Sequence, residues 1–386
     1  MRTVNIITST LPRRHGGRTR TILERAKMLG EQGFKVRILT MNYQPKLSLI
    51  VLIFRLTRLI NKNVSIYNIY DHYKDVKKQD GKISIMADGK TVNFKKERKF
   101  FTYWLNEVLE DGDVVINDVR TFDYPLYHVK HKIRRIYQLH NSHCAIDSKA
   151  AKTKKEFRFL LESSHDEDSC IVALTKSQRA DIVSRYPHLE ENVVVIPHAI
   201  QVRTIKTRVN DKQICIVARL EPQKNLLHAI EAFDIFKRDN PDCTLVICGD
   251  GKSRKELELE VEKRSLSNCV VFLGYRKRVG PVFQQSKFMI MSSHFEGFPM
   301  SILESLANGC PVVSYDIRYG PSEMIQFESG RLSNENTPTE LARAMALEAK
   351  TSRDRATVSH SVEKYSPAKN RENWLNAIDG TYSSIS

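Results

Sequence analysis

His294-Phe-Glu-Gly-Phe-Pro-Met-Ser-Ile-Leu-Glu304, continuing through Ser-Leu-Ala-Asn-Gly-Cys-Pro-Val-Val313, is the stretch on which the reading of this 386-residue chain turns. Two carboxylates, Glu296 and Glu304, flank a Gly-Phe-Pro turn. Pro299 is expected in the first turn of a helix, where its missing N–H costs nothing. Glu304 then falls near the end of the second turn, with Ile302, Leu303 and Leu306 facing inward. A helix that opens at a Gly-containing turn offers free N–H groups to an anion, and nearby carboxylates accept hydrogen bonds from hydroxyls. The pattern suits a site that holds a phosphate and a polyol together. Carboxylates that only cap a helix are the competing reading.

Outward from this stretch, short apolar strands alternate with helices in both directions. In the second half, strands are expected at Gln213–Ala218, Thr244–Cys248, Val270–Leu273, Phe288–Ser292 and Pro311–Ser314, with helices at Leu226–Arg238, Gly251–Lys263 and Pro299–Asn308. The first half repeats the scheme with Thr3–Thr8, a helix over Arg20–Gln32, Lys35–Met41, Val114–Asn117, Ile136–Leu139, Cys170–Leu174 and Asn192–Ile196. Strands of this kind separated by helices imply parallel sheets covered on both faces. The chain therefore predicts an α/β protein of two Rossmann-like domains, with a linker near Gln201–Asn210. Ligands in such domains bind at the carboxyl ends of the strands, so the active site is expected in a cleft between the two. The final stretch, Ser366–Ser386, reads as a helix.

The length fits two domains, each large enough for its own core. With 41% hydrophobic and 27% charged residues, the composition is that of an ordinary globular protein. The cysteines (144, 170, 215, 243, 248, 269 and 310) lack metal-ligand spacing. Those from 215 onward lie in or beside apolar runs and read as buried free thiols of a reducing compartment. The N-terminus has no signal-peptide core and reads as the first strand, so a cytoplasmic protein is expected.

The net charge of +16 is uneven: residues 1–100 hold 22 Lys+Arg against 7 Asp+Glu, and the remainder 39 against 38. Nucleic acid, an anionic membrane or a polyanionic substrate would each explain such a basic end, as would a solvated face without a partner. No nucleic-acid reader module is recognisable, which disfavours the first. Within this region, Lys46–Lys62 reads as a basic amphipathic helix, with Arg55, Arg58 and Lys62 on one face. Its apolar run is too short to span a bilayer, but it could lie in a membrane interface or pack on its own domain. Beyond it, Val64–Tyr70 and Ile83–Phe94 alternate around an Ala-Asp-Gly-Lys turn at 87–90 and predict a β-hairpin. Asp111-Gly-Asp113 and Asp166-Glu-Asp168 precede strands and read as turns, so no metal is expected.

Several further motifs accompany the acidic pair. Val217-Ala-Arg-Leu-Glu-Pro-Gln-Lys-Asn225 places Arg219 and Lys224 after a strand; Val195-Ile-Pro-His-Ala-Ile200 precedes it. Leu11-Pro-Arg-Arg-His-Gly-Gly17 lies between the first strand and the first helix, and Leu139-His-Asn-Ser-His143 follows another strand. Taken in this order, they resemble the retaining glycosyltransferases of family 4, which have the GT-B fold, and the resemblance runs along most of the chain. Within that family the chain looks most like the bacterial wall teichoic acid α-glycosyltransferases, on residues Leu11–Gly17, Leu23-Glu-Arg25, Leu139–His143 and Val217–Asn225. Where those enzymes carry a larger β-rich insertion, residues 63–100 are much shorter.

The resemblance implies transfer of a hexose from UDP-glucose or UDP-N-acetylglucosamine to a polyanionic polyol-phosphate polymer, or to a lipid-linked acceptor, at the cell surface. It implies catalytic residues Glu296, Arg219, Lys224 and His140. Arg219 and Lys224 would clamp the diphosphate and Glu296 would act at the sugar. Glu304 would bind the ribose, and Gly297, Phe298, Pro299 and Met300 would bring backbone N–H groups to the diphosphate. Gly17 completes the donor set, while Arg13, Arg14, Gly16 and His143 are candidates for the acceptor. It further implies domains at 1–205 (acceptor, with the 46–100 excursion) and 206–365 (nucleotide sugar), with 366–386 as a helix crossing back to the first. Acceptors that are lipid-linked saccharides or Ser/Thr-rich proteins, and a non-catalytic partner subunit, are the alternatives.

Overall fold

The computed structural model describes residues 2–8, 17–40, 60–68, 72–79, 82–87, 90–118, 123–140, 158–163, 165–205 and 208–382. The chain divides into two compact units: Met1–Leu174, Arg179–Ile196 and Arg371–Ser386 form the first, Thr175–Gln178 and Pro197–Asn370 the second.

The first unit is built on β1 (Thr3–Thr8), β2 (Lys35–Thr40), β3 (Val64–Asn68), β7 (Val114–Asn117), β8 (Arg134–Gln138), β9 (Ser169–Ala173) and β10 (Val193–Val195). These seven strands are parallel, in the order β10-β9-β8-β7-β1-β2-β3. Successive residues of β1 enter different cores: Val4 and Ile6 join Ile22, Leu23, Ala26 and Leu29 of the helix Gly17–Glu31. Ile7 joins Phe101, Trp104 and Leu105 of the helix Glu97–Val108. That is the period-two consequence of a strand buried on both faces. Trp374, Ala377 and Ile378 of the helix Pro367–Asp379 fill the first of these cores.

Two expectations change here. Val64–Asn68 is no hairpin arm; it pairs in parallel with β2 as the edge of the main sheet, Val36 opposite Val64. The hairpin expected about the turn at 87–90 is formed by β5 (Lys82–Ala87) and β6 (Lys90–Phe94), and a third antiparallel strand that was not expected, β4 (Lys74–Gln79), lies against β5. Four of the six residues of β4, Lys74-Asp-Val-Lys-Lys-Gln79, are charged, which hid it from a search for apolar alternation. Tyr73, Ile83, Ile85 and Phe94 share the aromatic core with Phe100. The basic helix expected over 46–62 lies outside the described residues as far as position 59; beyond it, Ile60 is buried in the first core and Lys62 is exposed.

In the second unit β11 (Asn210–Val217), β12 (Thr244–Cys248), β13 (Val270–Gly274), β14 (Ser286–Met291), β15 (Val312–Ser314) and β16 (Gly330–Leu332) form a parallel sheet ordered β13-β12-β11-β14-β15-β16. Residues 197–203 are tied into this unit: Ile200 N donates to Tyr365 O (2.9 Å) and Arg203 N to Ala307 O (2.9 Å). Asn370 Nδ2 donates to Pro197 O at 2.6 Å. Free cysteines 170, 215, 248, 269 and 310 are buried and Cys243 is half-buried; Cys144 lies outside the described residues.

Both sheets reverse their winding once, between β1 and β7 in the first unit and between β11 and β14 in the second. A crevice opens at the carboxyl ends of the strands where winding reverses, because the connecting helices leave on opposite faces.

Candidate active site

Beyond β11 the chain runs through Ala218, the exposed Arg219 and a 3-10 turn at Pro222–Lys224. Asn225 then takes a left-handed conformation (φ 48°), which asparagine tolerates, and starts the helix Leu226–Lys237. Beyond β14 the chain runs through Ser292 and Ser293 to Glu296. At this reversal Lys224 Nζ donates to Glu296 Oε1 at 2.5 Å. Ser293 Oγ donates to the same oxygen at 2.8 Å. Gln223 braces the loop, its Nε2 donating to Phe295 O (2.9 Å) and its carbonyl accepting from His294 N (2.9 Å). The Glu296 backbone is held from the other side, donating to Arg318 O (3.2 Å) and accepting from Tyr319 N (2.8 Å). The loop after β12 packs hard on that after β11: a Cβ on Gly249 would lie 1.7 Å from Ala218 O, and one on Gly251 2.4 Å from Leu220 O. Only glycine allows that approach. Gln223, Ser293 and the two glycines carry no role in the sequence reading. The signal that could have found the glycines is Gly249-Asp250-Gly251 directly after β12.

The helix that follows spans Met300–Ala307, with Pro299 as its N-cap (φ −73°, ψ 90°). Pro299 therefore sits one position before the first turn, and having no N–H it cannot donate to an anion. Ile302, Leu303 and Leu306 are fully buried, as the spacing predicts, and Glu304 is half-buried. Phe298 is 7% exposed and stacks edge-on between His198 (5.4 Å) and Tyr365 (5.8 Å), so its side chain serves the packing of the unit. Nearby, His228 Nδ1 and Tyr315 Oη are 3.1 Å apart, and burial pushes the Tyr315 phenol up. Desolvation, and secondarily the adjacent His228, hold His294 below its ordinary value of 6.5.

In the first unit, Asp118 follows β7, its N–H donating to Ile7 O across the reversal at 3.1 Å. Its carboxylate is fully buried and 2.7 Å from His140 Nε2, just past β8. Arg25, from the helix Gly17–Glu31, reaches the other carboxylate oxygen at 3.4 Å and also donates to Gln138 Oε1. Its guanidinium lies 4.0 Å over the Trp374 ring. Desolvation lowers the Arg25 pKa against the opposing pull of Asp118. Asp118 also went unread; a carboxylate closing the apolar run Val114-Val-Ile-Asn117 was its signal. Gly17 opens the first helix, while Arg13, Arg14, Gly16 and His143 lie outside the described residues.

The acidic pairs set aside as turns are structural. Asp113 pairs with Arg37 (2.6 Å) and accepts from Asn5 (3.0 Å), and Asp111 caps Lys132 N (2.8 Å). Asp166 and Asp168 lie 3.6 Å from Arg135 and 4.0 Å from Arg134. Among the described residues no group of three or more His, Cys, Asp and Glu side chains could hold a metal ion.

The class of fold is that of the GT-B glycosyltransferases, two Rossmann-like α/β domains with parallel sheets. Residues 200–364, which contain the Lys224–Glu296 site, match the family described as Glycosyl transferases group 1. The chain is 27% identical over 302 residues to the poly(glycerol-phosphate) alpha-glucosyltransferase of Bacillus subtilis, covering 75% of this chain and 44% of that protein. It is 24% identical over 312 residues to the poly(ribitol-phosphate) alpha-N-acetylglucosaminyltransferase of Staphylococcus aureus, covering 78% and 62%. The chain thus spans about half the length of the curated relatives it matches. The crystal structure of an S. aureus TarM variant in complex with fondaparinux, alpha-GlcNAc-glycerol and UDP superposes with a TM-score of 0.83 at 16% identity, over 98% of this chain and 100% of that one.

Proposed function

We propose that the chain is a retaining glycosyltransferase that moves glucose or N-acetylglucosamine from a UDP-sugar to a polyol-phosphate polymer of the teichoic acid type. The observation that carries this reading is the Lys224–Glu296 pair at the winding reversal of the second sheet, inside the segment that matches the group 1 family. Glycosyl transfer leaves negative charge on the departing diphosphate and positive charge at the anomeric carbon. A lysine and a carboxylate on adjacent loops answer those two needs. On donor binding, Lys224 and the exposed Arg219 would receive the diphosphate and Glu296 would face the sugar, with Glu304 toward the ribose. Fixed cations and backbone amides then stabilise the leaving group without a metal. The acceptor oxygen bonds to the anomeric carbon on the face the diphosphate leaves, the bond to the phosphate oxygen breaks, and the acceptor proton passes to that phosphate. His140, at the end of β8, would face the donor sugar.

The surplus of positive charge in residues 1–100 suits a polyanionic acceptor, and both curated relatives named above are polyol-phosphate glycosyltransferases. Free thiols suit a cytoplasmic enzyme, peripheral at the inner face of the membrane through residues 46–62. No described helix is long and apolar enough to cross a membrane. A non-catalytic partner subunit has no need of the Lys224–Glu296 pair. The test is UDP release with UDP-glucose and UDP-N-acetylglucosamine, with and without purified teichoic acid, each with and without EDTA. Acceptor-dependent release that survives EDTA is expected. Release from neither donor would refute the activity, and release equal with a neutral oligosaccharide would refute the acceptor.

A further inference from the structure

At the reversal of the first sheet a chain of contacts leads from His140 into the core of the unit. His140 Nε2 lies 2.7 Å from Asp118 Oδ1, and the Asp118 carboxylate is fully buried. Arg25, 3% exposed, holds its second oxygen. Arg25 is itself fixed at three points: Asp118, Gln138 Oε1, and the face of Trp374, whose helix is packed into the same core. A buried ion pair is costly to desolvate and gives little net stability over apolar residues of the same size. One placed at the carboxyl ends of β7 and β8, against the single histidine described there, does something else well. An ionised carboxylate only accepts hydrogen bonds, so it dictates which ring nitrogen of its histidine carries the hydrogen and how the ring is turned.

We propose that Asp118 is a positioning residue: its carboxylate, locked by Arg25 against Trp374, holds His140 in the Nε2-protonated tautomer with its ring fixed at the end of β8. The proposal rests on the glycosyltransferase reading for its kinetic consequence and on geometry alone for the tautomer, and the two parts separate in the test. Nitrogen NMR of the His140 ring, assigned by its loss in His140→Gln, is expected to show the Nε2-protonated tautomer in the wild-type protein. The Nδ1-protonated form there overturns the proposal whatever the activity.

The double variant Arg25→Met/Asp118→Leu removes both charges at similar volume, so that no uncompensated ion remains to unfold the protein. It should give mixed tautomers and lower kcat about 100-fold, the loss expected when a reacting group is misplaced. KM for the UDP-sugar should stay within about twofold, because binding contacts are untouched. In a His140→Gln background the same two changes should cost nothing further. An equal loss with and without His140 would show a merely structural role and overturn the proposal. A wild-type protein that releases no UDP refutes the activity, while the tautomer still decides the role of Asp118. If the double variant does not fold, the wild-type tautomer is decisive.

Discussion

At the ends of β11 and β14, Lys224 meets Glu296 with 16% and 8% of their side chains exposed; past the end of β7, Asp118 meets Arg25 of the helix Gly17–Glu31 with 0% and 3%. The two sites occupy the same topological position in two sheets of the same winding, yet they use charge differently. A lysine that keeps a path to water can leave its carboxylate for an incoming phosphate at modest cost. A guanidinium sealed beneath a tryptophan cannot, because any separation leaves an ion uncompensated in a medium of low polarity. The open pair is therefore suited to meet a ligand and the sealed pair to hold a neighbour in place. The supporting side chains divide along the same line: Ser293 Oγ donates to the Glu296 carboxylate, whereas the Asp118 carboxylate meets Arg25 and His140 Nε2.

The comparison breaks most plainly on activity. Glu296→Gln and Lys224→Ala should each lower turnover at least ~100-fold in a protein with unchanged circular dichroism, since losing one group that stabilises transition-state charge costs about 3 kcal/mol. Full UDP release from a folded Glu296→Gln protein would remove the open pair from the chemistry. Stability should order the two sites the other way. Asp118→Asn, which strands Arg25, should cost about 3 kcal/mol in denaturant unfolding. Lys224→Ala should cost about 1 kcal/mol, because Ser293 still bonds to the carboxylate. Equal losses would mean that exposure does not separate the pairs.

A smaller effect is expected from salt. Acceptor KM should rise between 0.1 M and 1 M salt, where the screening length falls from about 10 Å to about 3 Å, while donor KM moves less. Neutralising Arg13 and Arg14 should remove this dependence. Charge reversal at Arg55, Arg58 and Lys62 should instead reduce vesicle binding and leave transfer to a soluble acceptor intact. The smallest effect concerns His294, beside the open pair. Its folded pKa lies below the ordinary 6.5, so the unfolded chain takes up its proton first as the pH falls. Stability should be unaffected above 6.5 and decline as the pH drops from there toward the lowered value. His294→Gln should flatten that decline in thermal melts between pH 7 and pH 5, an interval about the ordinary histidine range. A slope unchanged by the substitution would place the proton elsewhere.

Much of the scaffold was legible because the strands are continuous β-branched runs. Val114-Val-Ile-Asn117 and Thr244-Leu-Val-Ile-Cys248 appear at their expected bounds. Where apolar patterning was weak, the reading went astray: β4 is mostly charged, and Val64–Asn68 alternates like a hairpin arm yet lies at the edge of a parallel sheet. An edge strand has one neighbour, and its alternation does not say which.

The sequence by itself determined that two α/β halves would form, that Ile302, Leu303 and Leu306 would be buried, that Lys224 and His140 would follow strands, and that Glu296 would stand at the turn before a helix. These follow from local rules of period and punctuation, which act over a few residues. Tertiary structure alone decided that Lys224 would meet Glu296, 72 residues away, and that Arg25, Asp118, His140 and Trp374 would form one contact chain. Those meetings depend on strand order, on where each sheet reverses and on which core the last helix enters. Such choices are fixed by the burial of whole faces, and no short stretch of the chain contains them.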